Sequence, residues 1–192
     1  MQGLPFNPTS VHSLVGMDVV YSNESSPLGT GGALGNATQL IRSKSCLVMN
    51  GDSYTDVDLR KFAIAQGESG ADVSVVVVPV DERGDVGSVL IDADNNIIQF
   101  AEKTRPALAA HLNAGIYMLS SEILYGIPPG LPISIERELI PRWIREGRRI
   151  RAFIHSGKCV DIGTPERYQA AQKILADIEF APAEARNEQN RA

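Results

Sequence analysis

The chain has 192 residues, of which 43% are hydrophobic and 21% charged, which is the composition of one soluble globular domain with a sizeable core. Its formal net charge is −5 and it has no basic run, so neither nucleic acid nor an anionic membrane is an expected partner. The longest stretch that is almost entirely apolar, 73–80, is too short to span a bilayer, and the first residues lack the pattern of a signal peptide. Cys46 and Cys159 stand far apart in apolar contexts and indicate no disulfide framework, which makes a reducing cytoplasm the expected compartment.

Apolar runs of strand length alternate with segments of helical spacing along the chain. We predict strands at 17–22, 46–49, 71–80, 87–92, 97–101, 112–119, 150–154 and 158–162. Helices are predicted at 33–41, 57–66, 121–125, 134–146 and 165–178. The alternation indicates an α/β fold with a mostly parallel sheet, to which the turn sequence at 93–96 adds an inserted hairpin. We expect one domain over 1–178, irregular at 1–13, and a flexible polar tail over 179–192.

Residues with capping or breaking chemistry mark the ends of several predicted helices. Asp56 is the expected N-cap of the second helix and Gly67 its stop. Thr164 is the expected N-cap of the last helix, with Pro165 at its first position. Pro141 lies inside the fourth helical pattern, so we expect a kink or break there.

A glycine-rich segment, Pro-Leu-Gly-Thr-Gly-Gly-Ala at 27–33, leads into the first predicted helix. Glycines let a backbone approach a ligand closely, and the first N–H groups of a helix have no partner within it. The segment is therefore expected to point free N–H groups at a ligand. The ordinary structural alternative is a simple loop-to-helix junction.

Two predicted strands each end in a carboxylate before a glycine-assisted turn. Asp52 follows an apolar strand in Asn-Gly-Asp, and Asp161 follows another in Val-Asp-Ile-Gly. Ligands of open α/β sheets bind outside the carboxyl ends of the strands, and Mg²⁺ is held by one or two carboxylates together with phosphate and water. The pair therefore suggests a Mg²⁺ site. The alternatives are an ordinary turn at Asp52 and an ordinary strand-to-helix loop at Asp161.

Lys103, directly after Glu102, is a candidate phosphate ligand because a lysine ammonium acts as a point charge on a flexible stem. A solvated surface pair is the alternative for this dipeptide. The three histidines have no metal-ligand spacing, and no Ser/His/Asp or Cys/His arrangement is visible.

Six motifs stand in the order found in sugar-1-phosphate nucleotidyltransferases, a family that the chain resembles over about residues 17–178. They are PLGTGGA at 27–33, NGDSYTDVDL at 50–59, Glu102-Lys103, NAGIY at 113–117, SIERELIP at 134–141 and DIGTPERY at 161–168. An ordered set of this kind is far more specific than any single motif. Within the family, the chain looks most like the guanylyltransferases of mannose 1-phosphate and heptose 1-phosphate.

The resemblance implies a Rossmann-like sheet of the nucleotide-diphospho-sugar transferase type and a reaction of NTP with sugar 1-phosphate that gives NDP-sugar and pyrophosphate. It implies that the Mg²⁺ ligands are Asp52 and Asp161, and that the loop against the nucleotide base is Gly29, Thr30 and Gly31. It places the sugar phosphate against Gly87, Glu102, Lys103 and Asn113. A sugar phosphate is already anionic at neutral pH, since its second pKa is about 6, so the reaction needs no general base.

Two departures from the family pattern are visible. The proline that usually follows Glu-Lys is replaced by Thr104, a small change. The family's opening strand, Gly-Gly-x-Gly-Thr-Arg phosphate loop and Lys-Pro are all absent from the sequence. We therefore expect an N-terminally truncated nucleotidyltransferase domain, either a truncated gene product or a mis-started reading frame.

Two other classes of protein stay open. A non-catalytic relative would bind a sugar nucleotide or serve as an assembly partner, and DNA upstream of Met1 would separate it from the enzyme by the presence or absence of the glycine-rich loop. A glycosyltransferase would use an Asp-x-Asp metal motif, which Asp56-Val57-Asp58 matches superficially. A helix cap is the preferred interpretation of those aspartates.

We predict that the purified 192-residue chain releases little pyrophosphate from any NTP with mannose or heptose 1-phosphate. A triphosphate needs a cradle of N–H groups and cations, and the glycine-rich loop that supplies it in the family is absent from the sequence. The family topology also puts missing strands between strands 17–22 and 46–49, so exposed edges should favour self-association into a homo-oligomer. Pyrophosphate release and light scattering measure the two effects. Robust Mg²⁺-dependent turnover by a monodisperse, cooperatively melting sample would contradict this expectation.

Overall fold

The structure is a computed structural model that describes residues 11–14, 17–80, 87–101 and 111–176. The described strands are β1 Val11–Leu14, β2 Met17–Val20, β3 Ser45–Met49, β4 Ser53–Thr55, β5 Val73–Pro79, β6 Ser88–Ile91, β7 Ile97–Ala101, β8 His111–Ser120, β9 Ile150–Ile154 and β10 Cys159–Asp161. The described α-helices are α1 Gly29–Ala37, α2 Leu59–Ser69, α3 Ser121–Tyr125, α4 Ile140–Arg145 and α5 Pro165–Leu175. The predicted tail, 179–192, lies outside the described residues.

Six of the described strands form the central sheet, in which β8 lies between β5 on one edge and β3 and β6 on the other. The sheet continues from β5 to β9 and from β6 to β7. The α/β class and the hairpin β6–β7 are confirmed. The strand directions differ from the expected mostly parallel sheet, since among the described pairs only β5 and β9 run in parallel. Apolar runs of central strands look alike in both arrangements, so the sequence pattern could not separate them.

The two faces of the sheet each carry a hydrophobic cluster. On β5, Val75 and Val77 belong to one cluster and Val76 and Val78 to the other, because successive side chains of a strand point to opposite faces. The first face is covered by Leu139, just before α4, and by Trp143, in α4. Phe62 of α2 covers the second and is fully buried. Burial on both faces explains why β5 is almost entirely apolar; its one serine, the buried Ser74, donates its hydroxyl to the Gln66 side chain.

β3 does not run parallel to its neighbour, as a strand of the predicted mostly parallel sheet would. It pairs antiparallel with β8, and its residues alternate between exposed and half-buried. Leu47 and Met49 are 36% and 46% exposed. No described strand pairs with its other edge, so β3 is an edge strand within the described part of the chain.

The expectation that residues 1–13 are irregular is wrong for 11–13. These residues belong to β1, which pairs antiparallel with β2.

Helix ends follow local chemistry, with shifts of a few residues. Asp58, rather than Asp56, caps α2: its side chain accepts a hydrogen bond from the Lys61 N–H at 3.0 Å, and that bond lowers the pKa of Asp58. Gly70 in the left-handed conformation, rather than Gly67, ends the helix.

The predicted cap of the last helix and the predicted break near Pro141 are both confirmed. Thr164 caps α5 with Pro165 at the first position. A π-helical turn over Ile135–Leu139 gives way to α4 just before Pro141, as the proline predicted. No described helix has the length and apolarity that a membrane crossing requires.

The glycines of α1 are packing positions. The N–H groups of Gly31 and Gly32 both donate to the Ile133 carbonyl, at 2.8 and 3.0 Å. A Cβ on Gly31 would lie 2.8 Å from Leu139 Cδ1, and one on Gly32 would overlap the Leu131 carbonyl oxygen. The helix therefore rests against the segment before the π-helical turn at a distance that only glycine permits.

We predict that Gly32→Ala lowers the free energy of unfolding by about 1–3 kcal/mol, because the added methyl group must displace backbone. Gly67→Ala is the matched control, since a Cβ on this exposed glycine of α2 meets nothing within 4 Å. It should raise the free energy of unfolding by about 0.5–1 kcal/mol. Urea denaturation measures both, and equal effects of the two substitutions would contradict the packing role of Gly32.

Candidate functional site

Asp52 and Asp161 are brought together by a short antiparallel ribbon formed by β4 and β10. Asp161 pairs with Ser53, and the Ile162 N–H donates to the Asp52 carbonyl at 2.8 Å. Both aspartates therefore lie at the same end of the ribbon, although they are far apart in the sequence. Val160 of the ribbon is buried, and its neighbour Cys159 packs against the hydrophobic cluster on the second face of the sheet.

The two carboxylates meet beside Gly163. A Cβ built on this glycine would lie 3.1 Å from Asp161 Oδ1 and 3.2 Å from Asp52 Oδ2, so both oxygens border the space that a side chain would fill. The Gly163 N–H donates to Asp161 Oδ1 at 2.7 Å and fixes the orientation of that carboxylate. Asp52 is exposed and Asp161 half-buried.

The two carboxylates of Asp52 and Asp161 fit Mg²⁺ better than a metal ion that needs many protein ligands. Among the described residues there is no group of three or more His, Cys, Asp or Glu side chains that could hold a metal ion. Mg²⁺ commonly takes one or two carboxylates and fills its remaining positions with phosphate and water. Asp52 and Asp161 would be those two ligands.

Arg167 is a member of this site that the sequence analysis missed. Its Nη1 lies 3.0 Å from Asp161 Oδ2, while the other oxygen of that carboxylate accepts from Gly163. The Thr164 cap places Arg167 in the first turn of α5, within reach of the strand end. The sequence contains this contact as the Asp-x₅-Arg spacing of Asp161 and Arg167. The spacing indicates an ion pair only when the strand end and the helix start are known to lie next to each other.

Two residues that are predicted to hold the sugar phosphate are neighbours in the structure. They are Asn113, on β8, and Gly87, just before β6. The Asn113 N–H donates to the Gly87 carbonyl at 2.8 Å. Gly115 has φ +73°, at a register shift between β8 and β5, and its N–H donates to Asn113 Oδ1 at 3.0 Å. The Asn50 N–H donates to the Gly115 carbonyl at 2.9 Å. This irregularity connects Asn113 to the turn that leads into Asp52, and such bulges are common beside active sites.

Glu136 is a second residue that the sequence analysis missed, although it stands in the Ser-Ile-Glu motif. It lies in the π-helical turn and accepts hydrogen bonds from Thr30 Oγ1 at 2.8 Å, Ser134 Oγ at 2.9 Å and the Tyr117 hydroxyl at 2.9 Å. The same hydroxyl accepts from Asn113 Nδ2 at 2.6 Å. Glu136 thus joins Thr30, from the predicted base loop, to Asn113, from the predicted sugar-phosphate region.

The predicted base loop is only partly available to a ligand. Gly29 and Thr30 are exposed, whereas Gly31 is buried and donates its N–H to Ile133. The expectation that this segment points free N–H groups at a ligand is therefore wrong for Gly31 and Gly32, because backbone packing satisfies them. Glu102 and Lys103 lie outside the described residues.

The aspartates of the Asp-x-Asp pattern do not converge on one point. Asp58 caps α2, and Asp56 Oδ1 lies 2.7 Å from Nε2 of His155, a residue to which the sequence analysis assigned no role. The Asp56 N–H donates to the Lys158 carbonyl at 3.3 Å. This favours the structural interpretation of the pattern over a glycosyltransferase metal motif.

A cleft of about 500 Å³ lies between α2 and β9, lined in part by Phe62, Glu68, Asn95, Arg151 and Phe153. It contains none of the predicted site residues. The carboxylate pair, not this cleft, is where the chemistry of the described residues is concentrated.

Known proteins match the chain both in sequence and in structure. The nucleotidyl transferase family model matches residues 8–178. The mannose-1-phosphate guanylyltransferase of Mycobacterium tuberculosis is 31% identical over 173 residues, which are 89% of this chain and 48% of that protein. The D-glycero-alpha-D-manno-heptose 1-phosphate guanylyltransferase of Aneurinibacillus thermoaerophilus is 31% identical over 160 residues, 83% of this chain and 68% of that one. The chain spans about half the length of several curated relatives that it matches.

The crystal structure of HddC from Yersinia pseudotuberculosis superposes with a TM-score of 0.68 at 32% identity, covering 79% of this chain and 64% of that one. A thymidylyltransferase-like structure from Bacillus anthracis, at 22% identity and a TM-score of 0.75, supports the fold alone. The family model, the relatives and the shared fold agree with the order of the motifs and with the α/β architecture. The chain belongs to the nucleotidyl transferase family and is similar to its sugar-1-phosphate guanylyltransferases.

Proposed function

We propose that this chain carries the metal-binding and sugar-phosphate-binding part of a guanylyltransferase that joins GTP and a mannose- or heptose-type sugar 1-phosphate into GDP-sugar and pyrophosphate. The observation that carries the proposal is the meeting of Asp52 and Asp161 beside Gly163. The activity, substrates and partners of the whole protein are part of the proposal, as are its cytoplasmic location and any homo-oligomer.

The choice of base and sugar is supported by the relatives. Proteins about 31% identical to this chain are named as guanylyltransferases of mannose 1-phosphate and of heptose 1-phosphate. HddC, which has the same fold, has a crystal structure in complex with GMP-PN. All of these ligands are anionic phosphates, so a chain of net charge −5 needs local devices to hold them.

The proposed reaction forms a bond between a sugar-phosphate oxygen and the α-phosphorus of GTP, while the bond from that phosphorus to the β-phosphate oxygen breaks and pyrophosphate leaves. The attacking oxygen is already anionic, so positioning and charge neutralisation are the main tasks of the protein. Mg²⁺ held by Asp52 and Asp161 would supply neutralisation of phosphate charge.

The remaining proposed roles belong to residues of the chain itself. Lys103 would add a positive charge at the sugar phosphate, beside Gly87, Glu102 and Asn113. Asn113 is held in one orientation by Gly115 and Tyr117, which leaves its amide preorganised for a ligand. Gly29 and Thr30, the exposed residues of the predicted base loop, would lie against the base, with the Thr30 hydroxyl fixed by Glu136.

We predict that Asp52→Asn weakens the binding of Mn²⁺ with GDP-mannose at least about tenfold, because one of two metal ligands loses its charge. The free energy of unfolding should change by less than about 0.5 kcal/mol, since Asp52 is exposed and no described residue forms a hydrogen bond or ion pair with its carboxylate. Calorimetric titration measures the affinity, and Asp94→Asn, an exposed aspartate in the β6–β7 turn, is the matched control.

Unchanged affinity in Asp52→Asn would remove the metal site from the proposal. Asp52-dependent pyrophosphate release from GTP and mannose 1-phosphate would favour the enzyme over the non-catalytic binding module. Absence of release does not separate the two, because little release is already expected of the 192-residue chain.

We also predict that Lys103→Met weakens the binding of mannose 1-phosphate at least about tenfold, because a hydrogen bond between charged groups contributes about 1.5–3 kcal/mol. Lys173→Met, on the exposed side of α5, removes the same charge away from the proposed site. If Lys103→Met and Lys173→Met bind mannose 1-phosphate with equal affinity, Lys103 is a solvated surface charge and not a phosphate ligand.

A further inference from the structure

Asp161 already has a cation bound to it from within the chain. Arg167 Nη1 lies 3.0 Å from Asp161 Oδ2, and the two side chains are 31% and 36% exposed. The Gly163 N–H occupies the other oxygen, Oδ1, which is the one that borders Asp52. One carboxylate of the pair, that of Asp161, therefore already has a guanidinium partner.

This arrangement neutralises half of the charge of the pair. Like-charged carboxylates repel each other, and a guanidinium on one of them lowers that repulsion in the absence of any ligand. The backbone of Arg167 is held by Thr164, whose Oγ1 accepts the Arg167 N–H at 3.3 Å, while its long side chain reaches from helix to strand end. The guanidinium is thus anchored through the backbone of α5, while its ion pair with Asp161 is partly exposed to solvent.

We propose that Arg167 is a resident counter-cation that competes with the divalent metal for the Asp52–Asp161 pair, so that the metal binds tightly only together with a phosphate that takes over the guanidinium. This inference rests on the proposed function, because it takes the carboxylate pair as the metal site. A divalent ion on the pair adds two positive charges within a few ångströms of the guanidinium, and the repulsion opposes binding of the metal alone. Partial exposure of the ion pair moderates the effect without removing it.

A nucleotide phosphate is the suitable replacement partner. Arginine presents a planar fork of donors that matches the oxygens of a phosphate, and such pairs are among the stronger charge-assisted hydrogen bonds. With metal and phosphate bound together, Asp52 and Asp161 would hold the metal and the Arg167 guanidinium would donate to the phosphate, so that each of these groups would have a partner of opposite charge. Metal and nucleotide therefore bind with positive coupling, and Arg167 is one source of that coupling.

The test is a titration of the 192-residue chain with Mn²⁺, in which the free ion is followed by electron paramagnetic resonance. Arg167→Gln should tighten Mn²⁺ binding in the absence of nucleotide by about three- to tenfold at low ionic strength, and the gain should shrink as salt is added. Arg167→Lys, which keeps the charge, should stay close to the original affinity. Lys173→Gln removes a charge from the same helix without a contact to Asp161 and should leave the affinity unchanged.

The coupling provides a second readout. The factor by which GDP-mannose tightens Mn²⁺ binding should be smaller in Arg167→Gln than in the unaltered chain, a difference that a purely structural effect on α5 would not produce. Urea denaturation of each variant confirms that the folded state is being compared.

Mn²⁺ binding that depends on Asp52 but is unchanged or weakened in Arg167→Gln would overturn the inference and leave the proposed function intact. A gain that Lys173→Gln reproduces would overturn it as well. Absence of any Asp52-dependent Mn²⁺ binding, with or without GDP-mannose, would overturn the proposed metal site and the inference with it.

Discussion

The site depends on holding two carboxylates side by side at the end of a ribbon only three residue pairs long. The hydrogen bonds between β4 and β10 and the bond from Ile162 to Asp52 set their relative position. Repulsion between the carboxylates opposes this arrangement, and the Gly163 N–H and the Arg167 guanidinium offset it at Asp161. A side chain at residue 163 would fill the space that the two oxygens border, so glycine keeps that space open.

A chain of hydrogen bonds joins the parts of the molecule that are proposed to bind the base and the sugar phosphate. It runs from Thr30 through Glu136 and Tyr117 to Asn113. Tyr117 is fully buried, and a buried hydroxyl without partners would be costly, so the network stabilises the fold as well as orienting the site. Glu136 reaches Thr30 and Tyr117 from a π-helical turn, a feature often found at functional sites.

The glycines of α1 have a different use from the one that their sequence suggested. Backbone-to-backbone contact with Ile133 and Leu131 brings the helix close to the segment that leads into Glu136. That approach places the Thr30 hydroxyl within hydrogen-bonding distance of the Glu136 carboxylate. Packing of α1 and orientation of the proposed site are therefore two consequences of the same glycine-rich segment.

Local chemistry determined much of this protein by sequence alone. The β6–β7 hairpin, the Thr164 cap and the break at Pro141 each follow from turn, capping or proline chemistry within a few residues, and the structure confirms them. The same kind of pattern singled out Asp52 and Asp161 as carboxylates at strand ends.

Tertiary structure decided whatever depends on partners distant in the chain. The direction of β3 follows from its pairing with β8, which an apolar run does not specify. The occupied N–H groups of Gly31 and Gly32, the Glu136 network and the ion pair of Arg167 with Asp161 all depend on contacts across elements. A residue's type limits what it can donate, accept or pack against, but only the fold brings its partner within reach.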